Sequence, residues 1–287
     1  MASSKPKLLL IAGVARSGST ALQFVLGNRP DSAALGEIYA WYRPFRSHHL
    51  HPDCVCGKKL PECPVWSRID RPPARHLHRA VADILGVDVV VDSSKNLNWI
   101  NDASRWARRD GMDVDVILSW RGAKAIAYSY WRRDAPGWMR NLEGYIRRLN
   151  ELGLPWRALT FETLIARPES ALGTLYGPLG LTYEPGQERF WEGDYHSLFG
   201  DDGTVTQVVK GASELALPQF PDDFESYWSR LPAEIHARME RIDAMVRTGK
   251  PGGSASRRLP PLWYLKNKGV ITRDRLRLRL RPGTDIR

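Results

Sequence analysis

The sequence predicts an α/β fold in three layers, a central parallel sheet flanked by helices. Three observations predict it. Short apolar runs, many of them β-branched, alternate with stretches of helical spacing, which is the pattern of a parallel sheet with crossover helices. Three unusual stretches rich in small and polar residues each follow one of the apolar runs, where open α/β sheets bind their ligands. The chain has 287 residues and is 43% hydrophobic, enough for one large α/β domain.

The elements follow in order. Lys7–Ala12 is an apolar run with a glycine directly behind it. It is too short for a secretory segment and no small-x-small cleavage site follows, so it reads as a buried strand. A helix is expected over 19–26. Further strands are expected at 87–92, 114–120 and 156–161, and helices at 98–109, 123–133 and 137–152. Leu164, Leu172, Leu175 and Leu179 then space a helix that ends near Gly180. Residues 183–219 are rich in Gly, Asp and Pro and read as an irregular, site-covering segment. Helical spacing returns over 228–247. The expected organisation is one α/β domain over 1–248, a Gly/Ser linker over 249–256 and a basic tail over 257–287. No run reaches the ~18 apolar residues of a membrane span, so a cytoplasmic location is expected.

The formal net charge is +10, yet the tail alone holds ten Lys and Arg against Asp274 and Asp285. The rest is close to balance, so a nucleic-acid-binding core does not follow and no nucleic-acid partner is expected. In the tail, "RDRLRLRLRP" alternates Arg and Leu, which as a strand would present one basic and one apolar face. Weak contact with an anionic membrane surface is one reading, a solvated tail the other.

The first chemistry-bearing stretch is Gly13-Val14-Ala15-Arg16-Ser17-Gly18-Ser19-Thr20. A strand, a glycine turn and a helix N-terminus gather backbone N–H groups and the positive end of a dipole, which suits phosphate or sulfate oxygens. Ser19 stands where a P-loop kinase carries lysine. A second anion clamp is expected from Arg121, at a strand end, and Ser129, about two helical turns further on. The third stretch is Asp92-Ser93-Ser94-Lys95, whose lysine lies beside the phosphate loop and can neutralise charge on a transferring group.

Together these motifs resemble the sulfotransferases that use 3′-phosphoadenosine 5′-phosphosulfate (PAPS). Arg16-Ser17-Gly18-Ser19-Thr20 resembles their 5′-phosphosulfate loop. Arg121 followed eight residues later by Ser129 resembles their 3′-phosphate site, although this chain has Arg121-Gly122-Ala123 where many read Arg-Asp-Pro. Phe161-Glu162-Thr163-Leu164 with Pro168 resembles a further family segment. In the tyrosylprotein branch the loop arginine is followed 21 residues later by a glutamate base. Here Arg16 is followed at that distance by Glu37, within Arg29-Pro30-Asp31-Ser32-Ala33-Ala34-Leu35-Gly36-Glu37. The resemblance implies a three-layer, P-loop-like fold, with PAPS as co-substrate and a sugar, lipid or natural-product hydroxyl as acceptor. It implies Glu37 as base, Arg16 and Lys95 as charge stabilisers, and no metal in the reaction. His196, in "YHSLFGD", is a reserve base. A small-molecule kinase using ATP is the alternative.

Cys54, Cys56 and Cys63 all fall within 48–66. Reduced thiols in a folded loop are the ordinary reading for a cytosolic protein. A zinc set completed by His48, His49 or His51, or a disulfide from Cys63 to Cys54 or Cys56, are the alternatives. A Cys-x-Cys-Gly…Cys-Pro-x-Trp segment also recurs in bacterial members of the family resembled.

Overall fold

In the computed structural model, which describes residues 5–134, 137–200, 202–209, 217 and 219–248, the apolar run Lys7–Ala12 is strand β1. It is the middle of a five-stranded sheet. The others are β2 (Ser32–Gly36), β3 (Val89–Asp92), β4 (Asp113–Trp120) and β5 (Trp156–Thr160), and the order across the sheet is β2-β3-β1-β4-β5. Every pairing is parallel. All five strands therefore end at one edge, and every loop leaving a strand starts there.

Alternation along β1 sorts its side chains into two cores. Leu8, Leu10 and Ala12 pack on one face, against α3 (Leu77–Leu85), α4 (Leu97–Arg109), α5 (Ala123–Trp131), α6 (Trp138–Glu151) and α11 (Ala233–Thr248). Leu9 and Ile11 pack on the other, against α1 (Ser19–Gly27) and α8 (Pro168–Leu179). A strand covered on both faces reads as a continuous apolar run, which is why β1, β3 and β4 were legible. The three layers and the parallel sheet are as the sequence predicts.

Differences from the expected elements have local causes. The strand β2 reads Ser-Ala-Ala-Leu-Gly, residues of low β-propensity. Small residues serve at that edge because α1 lies directly on it: a Cβ on Gly27 would come within 2.6 Å of the Ala34 Cβ. Arg29 closes the turn into β2 with a bidentate pair to Asp31, both contacts at 2.8 Å. Helix α3 and the four-residue α2 (Tyr39–Tyr42) were not expected. The segment over 183–219 is not wholly irregular, since α9 (Asp202–Val209) lies within it. The expected helix over 228–247 is two, α10 (Asp222–Ser229) and α11, parted near Pro232. The helix expected to end near Gly180 begins after a short α7 (Phe161–Ala166) and ends at Leu179, with Gly180 in the left-handed cap. The linker 249–256 and tail 257–287 lie outside the described residues. Among the described residues no helix is long and apolar enough to cross a membrane.

Candidate active site

Between β1 and α1 the chain makes the predicted glycine turn. Gly18 caps α1 at φ +85°, and a Cβ there would sit 2.5 Å from the Phe161 ring, so both conformation and space require glycine. The N-terminus of α1 opens into a cavity of about 1050 Å³ at the carboxyl edge of the sheet. That is the upper end of the roughly 300–1,000 Å³ ligand-pocket range. Arg16, Gly18, Ser19 and Thr20 line it. Ser17 stands behind the loop, fully buried, its Oγ without a hydrogen-bond partner among the described residues.

The turn after β3 is held by one buried carboxylate. Asp92 accepts from His78 Nε2 at 2.8 Å, Trp99 Nε1 at 2.7 Å and Ser94 N at 2.9 Å, and from the Ser94 hydroxyl. With its oxygens so occupied, Asp92 shapes the turn that presents Lys95. Tyr145 ties this turn to the glycine turn before α1: its hydroxyl donates to the Lys95 carbonyl at 2.6 Å and accepts from Gly13 N at 2.8 Å. Burial pushes the Tyr145 phenol above its ordinary range, so it stays protonated and able to donate.

Glu37 leaves the end of β2, where its N–H donates to the Leu198 carbonyl at 2.9 Å. The Lys95 ammonium donates to Glu37 Oε1, and the pair is largely shielded from solvent, at 16% and 26% side-chain exposure. Four non-glycine residues have left-handed φ among the described residues, and Arg16 (73°), Lys95 (58°) and Phe199 (62°) are three of them. All three line the cavity. Such conformations are costly and collect at functional sites.

On the far wall Arg121 leaves β4 with its guanidinium 4.9 Å from the centre of the Phe161 ring. Its Nε is buried without a partner among the described residues. Burial lowers the guanidinium pKa, against the raising effect of Glu162. A desolvated cation with an unmet donor suits an anion. Ser129 lines the same wall and accepts from Arg133 Nη1 at 3.0 Å.

The cavity thus gathers Arg16, Ser19, Thr20, Glu37, Lys95, Arg121 and Ser129 from four strand ends and their helices. The cavity wall also includes Phe45 and, adding positive charge, Arg46, Arg132 and Arg133, none of which the sequence reading flags, together with His48, His49 and His51, which that reading weighs only as partners of the cysteines. Arg132 and Arg133 follow Ser129 by one helical turn, a spacing that could have flagged them. His49 is not a base: its Nδ1 accepts from the N–H groups of Phe45 and Arg46 at 3.3 and 3.2 Å. Burial and the neighbouring His48 and Arg46 hold its pKa down to about 4.

His196 is not among the residues that line the cavity. Its Nδ1 lies 3.3 Å from Cys63 Sγ and 3.8 Å from Cys54 Sγ, and its Nε2 lies 3.3 Å from Asp194 Oδ2. The three cysteines are free thiols. His48, His49 and His51, which the zinc alternative would join to them, line the cavity wall.

Solved structures share this architecture. The sulfotransferase domain of the olefin synthase from Synechococcus PCC 7002 superposes with a TM-score of 0.53 at 12% identity, over 86% of this chain and 97% of that one. The sulfotransferase domain from the curacin biosynthetic pathway gives 0.53 at 14% identity, over 85% and 99%. No family model and no curated protein sequence matches the chain. The chain has the sulfotransferase fold.

Proposed function

We propose that this protein is a PAPS-dependent O-sulfotransferase. The observation that carries the reading is the placing of the Glu37–Lys95 pair in one cavity with the Arg16 loop and the Arg121–Ser129 wall. In this reading the 5′-phosphosulfate rests on the N-terminus of α1 with Arg16, Gly18, Ser19 and Thr20, while Ser17, whose N–H donates to the Val14 carbonyl at 3.3 Å, shapes the loop from behind. Arg121 and Ser129 hold the 3′-phosphate.

Transfer is direct. Glu37 takes the acceptor hydroxyl proton. As that oxygen bonds to sulfur, the bond from sulfur to the 5′-phosphate oxygen breaks, and adenosine 3′,5′-bisphosphate leaves. Lys95, Arg16 and the helix N-terminus balance the charge that moves onto the leaving phosphate. No step requires a metal. A carboxylate base favours an alcohol of a sugar, lipid or natural product over a phenol, which at a pKa of about 10 needs less help. We expect the protein to act in the cytoplasm, without nucleic acid; weak membrane contact through the basic tail belongs to the same proposal.

Two features count against the kinase alternative. Position 19 is serine, and Asp92, the aspartate a magnesium ion would require here, is buried with its oxygens already accepting four hydrogen bonds. Incubation with radiolabelled PAPS and a panel of alcohols should yield labelled product and adenosine 3′,5′-bisphosphate. Formation of ADP from ATP and magnesium, with none from PAPS, would overturn the proposal.

A further inference from the structure

At the edge of the candidate active-site cavity, whose wall includes Cys54, four side chains of metal-ligating type converge from two distant parts of the chain. The Sγ atoms of Cys54, Cys56 and Cys63 and a ring nitrogen of His196 all lie within 4.8 Å of one another. Cys54 and Cys63 are fully buried, Cys56 and His196 half-buried. We propose that this Cys3His cluster is a structural zinc site.

The geometry fits that ion. Tetrahedral zinc with sulfur at about 2.3 Å and nitrogen at about 2.0–2.1 Å sets its ligand atoms about 3.5–3.8 Å apart. His196 Nδ1 stands 3.8 Å from Cys54 Sγ and 3.3 Å from Cys63 Sγ, so the ligands need to move by no more than about 1 Å. The supporting contacts are those of a metal site. The free His196 Nε2 faces Asp194 Oδ2 at 3.3 Å, the second carboxylate partner that ligating histidines favour. The Trp66 N–H points at Cys63 Sγ at 3.5 Å, which suits a thiolate. Cys54 and Cys56 flank a tight turn closed by Gly57 N to the Cys54 carbonyl at 2.8 Å, with Gly57 at φ +82°. A disulfide would use two sulfurs and leave the third thiol and the imidazole unexplained.

Four protein ligands leave no open position, so the ion would hold structure and not react. What it would hold is the backbone that carries Glu37. Val55 N donates to Ser197 O at 3.0 Å, Leu198 N to Leu35 O at 2.9 Å and Glu37 N to Leu198 O at 2.9 Å. A zinc ion bridging Cys54, Cys56 and Cys63 to His196 ties the 48–66 insert to the segment on which the end of β2 rests. Binding releases the thiol protons, and the site forms only when the fold brings residue 196 to the insert.

The test does not depend on the reading of the active site. The full-length protein is purified from zinc-supplemented culture without chelator, and its metal content is measured by mass spectrometry. About one zinc per chain is expected, with Cys63→Ser and His196→Ala losing it and His51→Ala keeping it. Growth on cobalt should give the thiolate charge-transfer band and intense visible absorption of tetrahedral cobalt(II), a readout that needs no variant to fold. Substoichiometric zinc with three freely titrating thiols, cobalt bound without the thiolate band, or full zinc retained by folded His196→Ala would overturn the proposal.

Discussion

The Lys95 ammonium lies on the Glu37 carboxylate, joining the carboxyl ends of two neighbouring strands, β3 and β2, at the mouth of the cavity. The two residues are 58 apart in the chain. In the proposed reaction this contact holds the base and the charge stabiliser in mutual reach before any substrate arrives. Both side chains line the cavity, and Glu37→Gln keeps an oxygen that can accept from Lys95, so losing the charge costs only about 1 kcal/mol of stability. The value of the pair is in chemistry. Glu37→Gln should therefore leave the Tm and the affinity for adenosine 3′,5′-bisphosphate nearly unchanged, while kcat falls by roughly a hundredfold or more. Equal losses of bisphosphate affinity and kcat would assign Glu37 to cofactor binding instead.

Tyr145 should behave in the opposite way. Its hydroxyl bridges Gly13 N and the Lys95 carbonyl from a buried position. Tyr145→Phe leaves the Gly13 N–H buried and unmet, a cost of about 1–3 kcal/mol. Thermal melting should register that loss, and the KM for PAPS should rise because the phosphate loop and the lysine turn lose their common support. An unchanged Tm would show that the bridge is dispensable.

Arg121 tests the proposed 3′-phosphate site. A charged hydrogen bond lost from a desolvated site costs about 1.5–3 kcal/mol, roughly a ten- to hundredfold loss of affinity. Arg121→Lys should show most of that loss, because lysine reproduces neither the guanidinium over the Phe161 ring nor the buried Nε donor. Binding of adenosine 5′-phosphosulfate, which lacks the 3′-phosphate, should be affected far less. Calorimetry with the two nucleotides separates the cases.

The insert should loosen in acid. The unfolded chain takes up a proton at histidine near pH 6.5, whereas buried His49 does so only near about 4. Between these values the unfolded state binds more protons. Stability is therefore full above about 6.5 and falls as pH drops toward 4, by up to about 1.4 kcal/mol per pH unit. His49→Asn keeps a short acceptor for the Phe45 and Arg46 N–H groups and removes the titration. Its Tm should gain on the unaltered protein steadily below pH 6.5, and parallel Tm profiles would exclude His49 as the source.

How legible this was in the sequence varied with the physics of each part. β1, β3 and β4 are covered on both faces, so their apolar runs stood out. β2 was silent because its role is to sit close under α1, which selects alanine and glycine and erases the strand pattern. The residues in the cavity were found where a local rule places them: a glycine turn before a helix, a cation at a strand end, a fixed distance to a second group. Tyr145 had no such mark, being one of two aromatics, with Trp138, on an amphipathic helix. His196 and the cysteines each stand out in the sequence, but their association does not, since only the folded chain brings His196 to cysteines 133 and 142 residues away. The histidines adjacent in sequence, His48, His49 and His51, were the wrong choice for that cluster because the insert turns them toward the cavity.

The central claim is that the cavity at the carboxyl edge of the sheet is built for a nucleotide with phosphates at both ends, held without magnesium. Isothermal titration of the full-length protein with adenosine 3′,5′-bisphosphate in the presence of a magnesium chelator tests it most directly. Saturable binding is expected at one site per chain, at least tenfold tighter than adenosine 5′-monophosphate and weakened at least tenfold by Arg121→Ala. Binding that requires magnesium, or that prefers ATP to the bisphosphate, would contradict it.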